Sequence, residues 1–267
     1  MTRIAIAGFG AIGRELAARI ARGIPGVEVG AIGARDRPKV EPAVQALGLD
    51  VPIEPLDALE AHADLVVECA PAALLPMIAQ PFLRAGKEAI VLSAGALLEY
   101  PELIELAAER RGTITVPTGA LVGLDAVAAC AEGEIESVRL TTRKPVAGPI
   151  GAPALDRDGV RIDAGLTEPL RVFAGTAREA VHGFPANLNV AVALALAGIG
   201  PDRTEVQIWA DPSLTRNTHT IEVVSDVADL RLTIENVPSE NPRTGKITAL
   251  SVVSLLRKRG ASLRVGS

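Results

Sequence analysis

Gly8, Gly10 and Gly13 stand at the spacing G-x-G-x-x-G near the start of the chain, between a short apolar run and a helical pattern. In such a turn the first glycine allows the bend, the second lets the backbone approach a pyrophosphate, and the third lets the helix lie close to the strand. The helix then faces the phosphates with unused N–H groups and a partial positive charge. Gly8, Gly10, Ala11, Ile12 and Gly13 are therefore candidate contacts for NAD or NADP. The acid that reads the ribose 2′-hydroxyl of NAD belongs about twenty residues further on. Gly33 and Ala34 stand there instead, followed by Arg35 and Asp36. A missing acid beside an arginine removes a repulsion against the 2′-phosphate, which makes Arg35 a candidate contact for NADP.

The chain has three histidines, the residues that titrate near neutral pH when unperturbed. His62 lies in a polar helix-to-strand connection, and His182 precedes FPANLN with only Gly183 between, where it could enter a helix. His219 sits in TRNTHTIEV, in a strand-like alternation, next to Arg216 and Asn217. That grouping offers a base, a carboxylate ligand and an amide together; the plainer reading is a half-exposed residue on a strand. Lys144 and Arg143 in TTRKP, and Arg243 in NPRTGK, are candidate anchors for an anionic substrate. Paired carboxylates, a Ser/His/Asp set, a Walker phosphate loop and zinc-ligand spacing do not occur, so no metal is expected. Hydride transfer needs none of these, because the cofactor carries the chemistry and the protein supplies orientation.

Positioning these groups falls to a strand over Arg3 to Ala7, a helix with Ile12, Leu16 and Ile20 on one face, and a second strand over Val27 to Gly33. This is a βαβ unit of about thirty residues. Apolar strands at Asp64 to Cys69 and Ala89 to Ser93, separated by helical stretches such as PAALLPMIAQPFLRAG, extend it into a parallel sheet with helices on both faces. Around PTGALVGLD the pattern changes. SVRLTTRKP, THTIEVVSD and ADLRLTIEN carry a strand period and suggest a second sheet. One helix interrupts it, PANLNVAVALALAG, with Pro185 suited to its first turn and Gly198 to its end. The final pattern places Ile247, Leu250, Val253, Ser254 and Leu256 on a helix expected to fold back on the first domain. The expected fold is α/β: a Rossmann dinucleotide-binding domain over residues 1–118, completed by a C-terminal helix within 241–267, and a substrate-binding and dimerisation domain over 119–240.

With 267 residues the chain can bury a large core without staples. Cys69 and Cys130 lie in separate apolar runs and read as packing thiols in a reducing compartment. A net charge of −5, with both signs interspersed, gives no basic stripe for nucleic acid or a membrane surface. No apolar stretch approaches the ~20 residues of a spanning helix, and a cytoplasmic location is expected.

Taken together, AGFGAIGRELA, IVLSAGAL, PTGALVGLDA, TRKP, FPANLNVAVALALAGIGPDRT, TRNTHTIEV and ENVPSENPRTGK resemble the L-aspartate dehydrogenase family over nearly the whole chain. The resemblance implies oxidation of L-aspartate by NAD or NADP to iminoaspartate, which hydrolyses to oxaloacetate and ammonia or feeds pyridine-nucleotide synthesis, or the reverse reductive amination. It implies that His219 is the catalytic histidine and that Ala120 and Asn189 contact the cofactor. Thr118 and Val122 depart from the family, which often has a serine and a second glycine in the junction motif. A homodimer is also implied, with an open-faced second sheet similar to that of dihydrodipicolinate reductase and homoserine dehydrogenase. Those dehydrogenases are the alternative reading, and a non-catalytic dinucleotide sensor is a third.

Overall fold

The computed structural model describes residues 1–163, 165–184, 188–238 and 245–266. The chain divides into two compact units, Met1–Gly119 with Thr248–Ser267, and Ala120–Ile247.

The first unit runs β1 (Thr2–Ala7), α1 (Ala11–Ala21), β2 (Val27–Gly33), α2 (Arg37–Ala46), β3 (Ile53–Glu54), β4 (Leu65–Glu68), α3 (Leu75–Arg84), β5 (Glu88–Val91), α4 (Ala96–Glu99), α5 (Glu102–Arg110) and β6 (Thr113–Thr115). Its sheet is parallel in the order β3-β2-β1-β4-β5-β6. The chain direction across the sheet reverses between β1 and β4, which is where doubly wound folds bind ligands, outside the strands' carboxyl ends. Both faces of the sheet are buried, which is why the strands read as near-continuous apolar runs. Along β1, Ile4 and Ile6 join one core with Leu16 and Ile20 of α1, while Ala5 and Ala7 join another with Ile78 and Phe82 of α3 and Leu103 of α5.

The second unit runs α6 (Leu124–Cys130), β7 (Ile135–Lys144), α7 (Pro153–Arg157), β8 (Leu170–Thr176), α8 (Ala177–Gly183), α9 (Asn189–Ala197), β9 (Thr204–Ala210), β10 (Asn217–Ser225) and β11 (Leu230–Asn236). Its sheet has the order β11-β10-β7-β9-β8, with only β7 and β9 paired in parallel. One face packs on the helices through Val138, Leu140, Val206, Ile208, Ile221 and Val223. The alternate residues, among them Arg139, Glu205 and Arg231, are exposed on the other face. Thr176 starts α8 with a capping box, exchanging hydrogen bonds with Glu179.

The last helix, α10 (Ile247–Gly260), buries Val252, Val253 and Leu256 in the first unit's core. Ile247 and Leu250, expected on its apolar face, are 38% exposed, and the buried stripe runs through Ala249, Val252, Val253 and Leu256 instead. Three further expectations change. His182 closes α8 rather than starting a helix and is exposed. Strands β8 and β9 were not anticipated, and α9 begins at Asn189. Pro185 and Arg243 lie outside the described residues.

Candidate active site

The glycine turn has the shape that its spacing predicts. Gly8 has φ +103°, where side chains are strained, and a Cβ there would lie 2.6 Å from the Cys69 carbonyl oxygen. A Cβ on Gly13 would lie 2.1 Å from the Gly8 oxygen, so only glycine lets α1 come this close to the turn. At Gly10, by contrast, a Cβ would meet nothing within 4 Å. The space is open because no protein atom fills it. Gly10 begins α1 without a side-chain cap, and the first turn carries no acid. The leading N–H groups of α1, from Ala11, Ile12 and Gly13, have no acceptor within the helix. Open room beside uncapped donors and a positive helix end fits the pyrophosphate of a dinucleotide.

At the end of β2, a Cβ on Gly33 would press on Leu59 and Leu56 at 2.8 and 2.9 Å, so a side chain there would have to displace both leucines. Asp36 is engaged in starting α2, accepting from the Lys39 N–H at 3.3 Å. Arg35 stands exposed between them. Arg35→Ala should therefore weaken NADP more than NAD. We expect a loss of about 1.5 kcal/mol, the low end for a charged hydrogen bond because the site is solvent-screened. Titrating both cofactors by calorimetry checks this, and equal losses would remove Arg35 from the site.

In the second unit, the helix-covered face of the sheet turns polar at one end. His219 is on β10 opposite Thr142 of β7, and the two are 4% and 0% exposed. His219 Nδ1 lies 3.1 Å from Thr142 Oγ1. Lys144, two residues along β7 on the same face, is also 4% exposed. The reading of His219 as a half-exposed strand residue is thus overturned: β10 is flanked by β7 and β11, and His219 shares the inward face with Ile221 and Val223. Neutral-range titration is overturned as well. Burial, with the Lys144 charge adding to it, pushes the imidazole down to about 3. Burial alone brings the Lys144 amine down to about 8. At neutral pH the pair is a neutral imidazole beside an ammonium.

Asn217 lies two residues before His219 on the same strand and pairs with Asn236 of β11. Arg216 stands just before β10 and is exposed. Among the described residues, the side chains that act on His219 are Thr142 and Lys144, not Arg216. Arg143 is committed elsewhere: it donates to the buried Asp211 carboxylate at 3.1 Å and lies over the Trp209 ring. The Ala120 carbonyl accepts from Asn236 Nδ2 at 3.0 Å, and Asn189 is the exposed first residue of α9. Thr142 and Asn236 escaped the sequence reading. Thr142 is flagged only by its period with Leu140 and Lys144, and Asn236 only by being polar on a strand of inward-facing apolar residues. No group of three or more His, Cys, Asp or Glu among the described residues could hold a metal ion. No helix among them is long and apolar enough to cross a membrane.

Comparison with known proteins bears on both units. Residues 8–117 match the family model described as homoserine dehydrogenase, NAD binding domain, and residues 125–259 match that of aspartate dehydrogenase, C-terminal. The chain is 59% identical to L-aspartate dehydrogenase 3 of Bordetella bronchiseptica over 99% of this chain and 97% of the relative. It is 53% identical to the L-aspartate dehydrogenase of Bradyrhizobium diazoefficiens over 99% and 94%. Among solved structures, the aspartate dehydrogenase of Thermotoga maritima is similar with a TM-score of 0.74 and 25% identity, covering 100% of both chains.

Proposed function

The chain belongs to the L-aspartate dehydrogenase family, and from that premise we propose roles for its residues in the oxidation of L-aspartate to iminoaspartate. The enzyme uses NAD or NADP, which when bound supplies the hydride acceptor. Gly8, Gly10, Ala11, Ile12 and Gly13 hold the pyrophosphate, Arg35 lies toward the adenosine ribose, and Ala120 and Asn189 are further cofactor contacts.

His219 is the general base. The substrate amine is mostly an ammonium at neutral pH and has no lone pair to push out hydride, so a proton must leave it first. The observation that carries this reading is the inward-facing imidazole, oriented by Thr142 Oγ1 at 3.1 Å from Nδ1, with Lys144 on the same face of the sheet. With Nδ1–H donating to Thr142, Nε2 presents its lone pair to the ammonium. Lys144 binds a substrate carboxylate, which also offsets the cation beside the ring, so His219 becomes more basic as substrate arrives. The same imidazolium can then return its proton while water adds to the imine. Asn217 offers an amide on the same strand, and Arg216 a second, exposed cation for the other carboxylate.

A homodimer and a cytoplasmic location belong to the same proposal. The uncovered face of the second sheet, with Trp209 between Arg143 and Arg171, supports the dimer. The reaction is tested by following absorbance at 340 nm with each cofactor and a panel of amino acids, and in reverse with oxaloacetate and ammonium. Turnover of another amino acid in preference to aspartate would overturn the substrate assignment.

Lys144 makes the pH dependence specific. Its ammonium is present below about pH 8 and lost above it, so the contact with a carboxylate weakens as pH rises through that value. Lys144→Met should lower kcat/KM for aspartate roughly 10- to 100-fold at pH 7 and remove the alkaline decline expected of wild type. Superimposable wild-type and mutant profiles would exclude Lys144 from the substrate site.

A further inference from the structure

Glu68 closes β4 in the apolar run LVVE and is 1% exposed. Its carboxylate accepts four hydrogen bonds: Oε1 from the Ala70 N–H at 3.0 Å and the Ser93 hydroxyl at 3.1 Å, and Oε2 from the Leu92 and Ser93 N–H groups at 3.1 and 2.8 Å. Three of the four partners are backbone N–H groups, which can only donate and so suit the charged carboxylate; the Ser93 hydroxyl alone could also accept. Burial raises its pKa, while the bonds from Ser93, Ala70 and Leu92, arranged for the charged form, lower it. No Lys, Arg or His among the described residues forms an ion pair with it. A buried charge without a counter-ion is costly to keep, and simple packing does not account for it.

Its position suggests the counterpart. Glu68, Leu92 and Ser93 lie at the carboxyl ends of β4 and β5, beside the reversal point of the sheet. The next residue, Cys69, donates its N–H to the Ala7 carbonyl at 2.8 Å, and its own carbonyl lies under Gly8. In this strand order a dinucleotide spans the crevice, with the ribose read at the end of β2 belonging to adenosine. The nicotinamide half then falls over the ends of β4 and β5. Its ring is cationic when oxidised and neutral when reduced.

We propose that Glu68 is a positioning residue of the nicotinamide half-site, whose buried carboxylate fixes the ends of β4 and β5 and favours the oxidised, cationic ring over the reduced one. This rests on the cofactor site described above. At an effective dielectric near 20, a unit charge about 10 Å from a cation would change its affinity relative to a neutral form on the order of tenfold.

The test is direct binding of NAD⁺ and NADH to the full chain, measured by calorimetry. Glu68→Gln should raise the ratio of the NAD⁺ to the NADH dissociation constant roughly tenfold. Glu68→Asp, which keeps the charge but shortens the reach, should weaken both forms and leave the ratio within about twofold of wild type. A purely structural role moves both affinities together in either variant. A folded Glu68→Gln with the wild-type ratio overturns the proposal, as does a Glu68→Asp ratio shifted as far as that of Glu68→Gln. Should Glu68→Gln not fold, Glu68→Asn is read against its isostere Glu68→Asp: a ratio roughly tenfold above that of Glu68→Asp supports the proposal, and equal ratios overturn it. If wild type binds neither form, the cofactor site itself is wrong, an outcome distinct from an unshifted ratio.

Discussion

His219→Ala should lower turnover by roughly 10² to 10⁴, the range for removing a general base, with cofactor affinity nearly intact. The buried imidazole is neutral, so the lone pair that accepts the substrate's proton is available across the physiological range. Alanine leaves that proton to water, which must reach a face of the sheet that the helices cover. Removing a residue only 4% exposed also opens a cavity and breaks the bond to Thr142, so some stability is lost in any case. The measurement is therefore kcat per folded active site, read alongside thermal unfolding. A merely structural histidine would lower the melting temperature while the surviving folded enzyme turned over within a few fold of wild type, and that result would falsify the catalytic role.

Two glycines three residues apart should fail in opposite ways. Gly10→Val should abolish dinucleotide binding in a protein that still folds, because its side chain enters open space and its backbone, at φ −76° and ψ −161°, accepts a branched residue. What the valine removes is room for the pyrophosphate. Gly13→Ala places a methyl group 2.1 Å from the Gly8 oxygen, inside the packing of α1 against the turn. It should destabilise the first unit by about 3 kcal/mol or more, at or above the top of the usual range for a single substitution. Calorimetry with cofactor and thermal melts on both variants separate the cases. Cofactor bound by folded Gly10→Val at wild-type affinity would remove the turn from the site.

The first unit was largely legible in the sequence because a buried parallel sheet leaves uninterrupted apolar strands, and the glycine spacing marks where the first of them turns. Strand β3, two residues long, gives no pattern to read. In the second unit, β9 alternates cleanly through Thr204, Val206, Ile208 and Ala210, yet it opens on the last residue of the turn stretch GIGPDRT, which masks its start. Strand β8 breaks its period where the register shifts between Arg171 and Phe173, and Val172 and Phe173 are both buried. The site was legible in its residue types but not in its environment. The alternation of His219 with Ile221 and Val223 points it inward, but whether that face is wet depends on helices distant in sequence. Lys144, in the polar string TTRKP, carries no sign of burial. Glu68 does carry one, a lone acid ending the run LVV.

The return of α10 to the first unit bears on how the chain is made. Synthesis proceeds from the N-terminus, and domains generally fold as they emerge. Here Met1–Gly119 leaves the ribosome without Val252, Val253 and Leu256, which belong to its own core, and must wait for the final stretch of the chain. The second unit is continuous over Ala120–Ile247 and has every residue of its core before α10 is translated. Of the two halves, the cofactor-binding one is thus begun earlier and finished later. During that interval the apolar side chains that α10 covers, on the same side of the sheet as Ile4 and Ile6, face the cell uncovered, the interval when a chaperone has most to bind.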